Sequence, residues 1–380
     1  MIPTSAGSPL AEAWDRLGPL PPFFSPRPES PVAAVEMANG DRLWLVTDYQ
    51  RGRAVLADSR FSRAAASKPG APQWDSLIPS QHSVMSLDGS AHARVRGVVA
   101  PVFAAHRAER HFSLVESIAD GLLDELDCRR TRSADLVTGY TSPLAMTVLS
   151  AVLGVPAEEH QALERSVAAT FGMTPQESAD RSRHILVLIR YMASLLDRKR
   201  REPGPDVLSL LVRASASGDL SEVELVNLGL ALLMAGYETT AGQLSTSILT
   251  VLTERAAPTG PVGHQLVERL LRATPATPLS FPRVALQDVD LDGTTIREGE
   301  AVIVSLLHGN YDAGPEAKHL TFGHGPHRCL GAPLARLQME VGISRLWHRF
   351  PSLRLAEGPD TVRWKTGLAT RGLARLEVEW

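Results

Sequence analysis

One ten-residue stretch constrains this chain more than any other: Phe322-Gly323-His324-Gly325-Pro326-His327-Arg328-Cys329-Leu330-Gly331. An apolar helical run follows, from about Ala332 to Phe350. A thiol therefore stands at a helix N-terminus, in a loop whose glycines let the backbone come close to something flat. The helix dipole and the unpaired N–H groups of the first turn favour a thiolate there. His327 and Arg328 add positive character. A lone Cys–helix junction also fits a buried structural thiol, so the remaining chemistry must come from elsewhere in the chain.

The chain has 380 residues, a length that by itself suggests two or three domains. No Ser/Gly linker, repeat period or charged tail marks a break. It reads as one large domain, residues 1–380, mainly α, with β-rich parts near 41–47, 284–307 and 350–380. A net charge of −3, near balance, points away from nucleic acid as a partner. The two cysteines, Cys128 and Cys329, give no disulfide framework. Cys128 is expected to be a partly buried thiol near the end of an amphipathic helix. Met1 to Pro28 carries no basic-then-apolar signal pattern. The longest apolar stretch, Leu225 to Gly236, is broken by Asn227 and is too short to span a bilayer. A soluble, cytoplasmic protein with no membrane partner is the expectation.

Asp41 to Thr47 alternates like a strand, and Asp48 to Ala57 has helical spacing. Residues 62 to 88 lack periodicity and read as a long loop, which in a compact domain is usually functional. Helices are predicted at about 89–104, 109–127, 141–153, 157–171, 178–199 and 205–216. Ser221 and Glu224 form a capping-box pattern that opens a helix to about Glu254, roughly 50 Å long. A short helix over 262–273 precedes strands at 284–286, 289–291 and 301–307, with a turn at Asp292-Gly293.

Inside the long helix lies Ala235-Gly236-Tyr237-Glu238-Thr239-Thr240. Glycine and paired threonines are poor helix-interior choices. Ala235 and Gly236 would thin the helix so that a ligand can approach. Thr239 can return its hydroxyl to the Ala235 carbonyl, with Glu238 as an acid beside it. A packing kink with a solvated glutamate is the other reading. His92 and Arg96, spaced i, i+4, share a helix face, which could equally be a solvated basic face.

Taken together, the pattern F-G-x-G-x-H-x-C-x-G resembles the haem-binding loop of cytochromes P450. Trp44 to Thr47, Leu56 to Ser62, Leu153 to Pro156 and Asp219 to Thr240 extend the likeness over nearly the whole chain. The resemblance implies a P450 fold with the long central helix over haem b (iron protoporphyrin IX). It makes Cys329 the axial thiolate and metal ligand, the arrangement that favours O–O cleavage. It implies a proton relay through Glu238 and Thr239. It places His92, Arg96, Arg283 and His327 on the haem propionates, and Ala235, Gly236, Phe322 and Gly331 against the cofactor. Substrate lining is implied for the 62–88 loop, Ala231–Ala235, Phe171–Pro175, Leu279–Phe281 and Gly367–Leu368.

The likeness is to soluble bacterial enzymes that tailor secondary metabolites. It implies electrons from a ferredoxin and its reductase, docked on cations such as Lys318, His319, His324 and Arg328, and hydroxylation of a small molecule. Oxidative coupling of aromatic groups in a short peptide or cyclodipeptide stays open, as does a non-catalytic haem-binding homologue. A peroxide-driven enzyme would have lost the acid–alcohol pair.

The chain departs from this family at one point. The usual E-x-x-R helix reads Val267-Glu268-Arg269-Leu270-Leu271-Arg272, with Arg269 in the acid's place. Glu268 is one residue early, about 100° round the helix. The stretch 309–320 before the haem loop is shortened and lacks the arginine that completes the family's salt-bridged triad, and the 256–264 connection looks trimmed too. Losing partners together avoids a stranded buried charge. A trimmed but functional proximal face is expected, with Glu268, Glu316 or haem-side carbonyls as new partners for Arg269 and Arg272.

Overall fold

The helix Glu222–Thr253 is the axis of the molecule. Its start is held by the capping box: the Glu224 N–H donates to Ser221 Oγ (3.3 Å) and the Ser221 N–H donates to the Glu224 carboxylate (2.9 Å). Arg94 grips the same carboxylate at 2.5 Å from the neighbouring helix Gly89–Val99. The helix is apolar on almost every side, so it must be buried all round. Its Leu225, Leu228, Leu233, Leu244, Ile248 and Val251 enter the main core. That core also takes in the helices Phe112–Asp127, Ser142–Leu153, Pro175–Arg201 and Ala332–Arg349.

This computed structural model describes residues 30–37, 40–73, 80–128, 131–172, 175–255, 257–258, 260–314, 317–366 and 368–380. The stretch Met1–Pro28 therefore lies outside the described residues, as do Glu316 and Gly367. Among the described residues no helix is long and apolar enough to cross a membrane.

The strands are short and flank the helices. β1 (Val32–Glu36), β2 (Arg42–Val46), β3 (Phe61–Ser62), β5 (Arg283–Ala285) and β8 (Ala301–Val304) form one sheet in the order β1-β2-β8-β5-β3. β2 and β8 run parallel, with Leu43 opposite Ala301; the other pairs are antiparallel. β4 (Ser133–Asp135) pairs with β12 (Glu377–Glu379), which pairs with β9 (Arg354–Leu355). β6 (Val289–Leu291) and β7 (Thr294–Ile296) make a hairpin. Its turn is Asp292-Gly293, with φ of +49° and +92°, the pair of left-handed residues that a two-residue hairpin needs. β10 (Arg363–Trp364) and β11 (Leu373–Arg375) close the set.

The mainly α architecture with small sheets agrees with the sequence expectation, and several boundaries do not. The strand expected over 301–307 stops at Val304. Ser305 accepts a hydrogen bond from the His308 N–H (3.1 Å) and starts a helix over Leu306–Asp312. The 62–88 loop contains a short helix, Arg63–Ala66, capped by Ser62. The 89–104 helix ends at Val99. β1 and β4 carried no strong alternation and were missed. Cys128 is exposed rather than partly buried. It stands two residues past Leu126, the end of the buried stripe, and so about 200° round the helix.

Candidate active site

The Cys329 loop is shaped by two left-handed glycines, Gly323 (φ +68°) and Gly325 (φ +71°). At Gly325 a Cβ would stand 2.6 Å from the Leu56 carbonyl oxygen and 2.8 Å from Ala57 Cα, so only glycine lets the loop close onto the end of helix Tyr49–Ala57. The Cys329 N–H donates to the Phe322 carbonyl at 2.8 Å, which folds the loop back on itself. Gly331 then caps the helix Ala332–Arg349.

Cys329 is exposed, but to the free volume of a cavity that protein surrounds. Burial pushes the thiol up from its ordinary value. The N–H groups of Gly331 and Ala332 and the charges of Arg96 and Arg328 pull the other way and do not overcome it. The helix terminus thus favours the thiolate, as expected, although burial outweighs it. The terminus moderates the desolvation cost, and a metal ligated by a thiol deprotonates it outright.

The cavity, about 350 Å³, lies between this loop and the central helix. Ala231, Ala235 and Thr239 line it from the helix, and Cys329 and Phe322 from the opposite side. Thr239 Oγ donates to the Ala235 carbonyl at 2.7 Å, as its position in the helix suggested. Gly236 lines the cavity beside Ala235, as expected, and has a second role. A Cβ there would overlap Leu149 Cδ1 at 2.6 Å, so the glycine admits Leu149 of the neighbouring helix, which itself lines the cavity. Glu238 is neither solvated nor on the cavity wall. It is 1% exposed, and its Oε1 accepts from Lys365 Nζ at 2.6 Å, while Oε2 has no partner. Adjacent helix residues point about 100° apart, so acid and alcohol face different spaces.

A basic wall closes one end. His92 and Arg283 are buried there, and the rings of His92 and His327 lie 4.2 Å apart. Arg96 donates to the Arg328 carbonyl at 2.6 Å. The sequence reading missed Arg63, a buried arginine on the same wall. Its Nε donates to the Met85 carbonyl at 2.9 Å, and its Nη1 to the Pro282 carbonyl. Burial lowers Arg63 to about 9, Arg283 to about 10 and His92 to about 4. Burial also lowers His327. One acid, Asp88, stands among these cations, its Oδ1 3.6 Å from His327 Nε2. Burial alone would raise its carboxyl. The nearby His327 ring and hydrogen bonds from the Ser62 hydroxyl and the N–H groups of Arg63 and Ala64 hold it well below the usual carboxylate range.

This wall is short of acceptors. Arg63 Nη2 and His92 Nε2 are buried without a partner. Buried cations and donors left unpaired are costly, and carboxylates of a cofactor would satisfy them. A haem with acidic side chains therefore fits: Cys329 at the iron, and His92, Arg96, Arg283, His327 and Arg63 at the carboxylate end. The implied substrate lining is met in part. Arg63, Val84 and Met85, the helix near Ala231–Ala235, and Leu279–Phe281 reach the cavity. Phe171 and Leu368 do not line it. The strand-like bridge Gly172–Leu368 joins their two segments, and the Ala369 N–H donates to the Phe171 carbonyl at 2.9 Å.

Behind the loop, the displaced acid has consequences. Arg269 pairs with Glu254 at 2.6 Å, near the surface, with side chains 46% and 24% exposed. Arg272 donates to the carbonyls of Asn310 (3.1 Å), Ala313 (3.4 Å) and Ala317. Of the anticipated partners that lie among the described residues, only main-chain carbonyls are used, those of Asn310, Ala313 and Ala317 in the shortened stretch. Arg269→Ala should therefore change stability by no more than about 1 kcal/mol, as for other exposed ion pairs. Arg269→Glu should give no stabilisation, because it sets a second acid against Glu254. Thermal melts of the loaded protein check both, and a gain in stability or haem retention from Arg269→Glu would show a triad that was broken and never replaced.

The comparisons with known proteins agree with this geometry. The family model described as Cytochrome P450 matches residues 307–371, which include the Cys329 loop. Nocardicin C N-oxygenase of Nocardia uniformis subsp. tsuyamanensis is 36% identical over 95% of this chain and 96% of its own length. Mycinamicin IV hydroxylase/epoxidase of Micromonospora griseorubida is 35% identical over 92% of each. The crystal structure of cytochrome P450mel 107F1, which has biaryl coupling reactivity, superposes with a TM-score of 0.86 at 34% identity, covering 93% of this chain and 94% of that one. Likeness of this extent, running along nearly the whole sequence and through the cysteine loop, shows that the chain belongs to the cytochrome P450 family of haem oxidoreductases.

Proposed function

We propose that this chain, working as one domain over residues 1–380 in the cytoplasm, hydroxylates a small natural product with electrons from a ferredoxin and its reductase. The observation that carries the reading is Thr239, whose hydroxyl stands on an apolar cavity opposite Cys329 while a buried acid, Glu238, waits one residue away. The cofactor would be haem b. Bound through Cys329, it supplies the one-electron and dioxygen chemistry. Arg63, Arg283, His92 and His327 hold its propionates and leave no cation in that wall unpaired. The apolar walls bind the substrate and exclude water. Thr239 Oγ releases the Ala235 carbonyl and passes a proton into the cavity. Glu238 replaces that proton once its side chain turns from Lys365 toward Thr239, and Lys365, 24% exposed, links its carboxylate to solvent.

A ligand screen by the haem spin-state shift, followed by turnover with ferredoxin and reductase, tests this reading. A product 16 mass units heavier supports it, the mass of one oxygen atom inserted with balanced electrons. A product lighter by two hydrogens, with a new bond between aromatic rings, means oxidative coupling instead, the reactivity named for one of the similar structures.

Ferredoxin docking leads to a further expectation. Of the cations suggested for it, Lys318 and Arg328 are exposed. His319 is 4% exposed and faces Glu268, and burial together with Arg53 and Arg328 lowers His324. The docking charge is thus smaller than the sequence implied. The association rate should still fall as salt rises, about tenfold between low and physiological ionic strength. Stopped-flow reduction measures it, and a salt-independent rate removes electrostatic steering.

A further inference from the structure

Arg269 occupies the place of the family's acid, but the helix His264–Ala273 still carries a carboxylate, Glu268. It turns toward the cysteine loop. Arg336 Nε and Nη2 donate to its two oxygens at 2.5 and 3.0 Å, a bidentate pair. His319 Nε2 lies 3.3 Å from its Oε2, within ion-pair range but outside hydrogen-bond geometry. The Thr321 N–H donates to His319 Nδ1 at 3.2 Å, so the proton of a neutral ring sits on Nε2, facing the acid. These partners hold the Glu268 carboxyl far below the usual range, against the opposing effect of burial.

We infer that Glu268, Arg336 and His319 form the clamp that positions the Cys329 loop in this chain. His319 precedes the loop, and Arg336 lies in the first turns of the helix that follows it. One acid thus ties both flanks of the ligand to one helix. The contact continues to the ligand itself. The Arg336 guanidinium lies 4.6 Å over the Phe322 ring, the His319 ring is 5.7 Å from it, and the Phe322 carbonyl accepts the Cys329 N–H at 2.8 Å.

Neutral bonds reinforce the same turn. Thr321 Oγ donates to the Leu271 carbonyl at 2.8 Å. Asn310 Nδ2 donates to Thr321 Oγ at 2.8 Å and to the Arg272 carbonyl at 3.1 Å. Arg272 in turn holds the carbonyls of Asn310, Ala313 and Ala317. The family's triad is thus replaced by a charged clamp one residue earlier on the helix and a carbonyl clamp at Arg272. Glu268 touches neither substrate nor cofactor. It is a positioning residue, and its role rests on Cys329 being the thiolate ligand.

The test uses the haem-loaded full chain, reduced under carbon monoxide. The readout is the lifetime of the thiolate-type band before it converts to the band of a protonated thiol. Glu268→Gln and Arg336→Met should each shorten that lifetime about tenfold, the effect usual for partners that orient a metal ligand. The charge-swapped double variant, Glu268→Arg with Arg336→Glu, should recover it to within about threefold of the parent, since contacting residues couple strongly. Arg336→Lys, which keeps the charge but loses the fork, serves if a single variant fails to fold and should fall between. Apoprotein melts separate general destabilisation from positioning: the lifetime should change where the melt of the apoprotein does not. Lifetimes within twofold of the parent in Glu268→Gln, or in Arg336→Lys if only that variant folds, would overturn the clamp. A parent protein with no thiolate band would instead overturn the assignment of Cys329.

Discussion

Cys329→Ser should abolish the thiolate-type carbon monoxide band and lower oxidative turnover at least about a hundredfold, equivalent to about 2.7 kcal/mol on the barrier. The serine hydroxyl fits the same space and can still meet the N–H groups of Gly331 and Ala332. It does not ionise readily, however, and as a harder ligand it donates less electron density to the metal. The substitution removes no packed side chain, because the Cys329 sulfur borders the cavity. Apoprotein stability should therefore change by no more than about 0.5 kcal/mol. Large loss of function with intact folding is the signature of a ligand. A thiolate band that survives in Cys329→Ser would refute the assignment. Cys128, the other thiol, is exposed and does not line the cavity.

Thr239→Ala is expected to leave haem and substrate binding within about twofold of the parent while product formed per electron falls at least about tenfold, the lower range for loss of positioned proton transfer. The missing electrons should appear as peroxide. The reasoning is geometric. Thr239 offers the hydroxyl on the cavity wall beside Ala235, and the acid behind it, Glu238, points toward Lys365. Without the hydroxyl, protons from Glu238 lose their last positioned stop. Alanine also frees the Ala235 carbonyl of its hydroxyl partner. Coupling and peroxide are measured side by side in one reconstituted assay. Unchanged coupling would mean that another group delivers the protons.

Several features were legible because their causes are local. A glycine whose φ must be positive, a cysteine that precedes a helix, and a threonine that returns its hydroxyl four residues back are properties of a few consecutive residues. The loop at 322–331 and the Thr239–Ala235 bond could accordingly be read from the sequence. The capping box at Ser221 and Glu224 belongs to the same class, as does the Asp292-Gly293 turn. Apolar periodicity likewise revealed the helices, though a cap such as Ser305 could end a strand where β-branched residues suggested that it continues.

Only the tertiary structure decided which charges meet. Arg63 reaches the Pro282 carbonyl across 219 positions, Lys365 reaches Glu238 across 127, and Arg336 reaches Glu268 across 68. None of these pairs shares a periodicity, a turn or a cap, so no short window of sequence contains the reason for it. The direction in which Cys329 is shifted has the same origin. Its helix terminus was visible in the chain, while the burial that outweighs it comes from elements packed around it. The sequence determined that a thiol, an alcohol and a set of cations would be available. Long-range packing, which sets burial and pairing, decided which of them face the cavity and which hold the others in place.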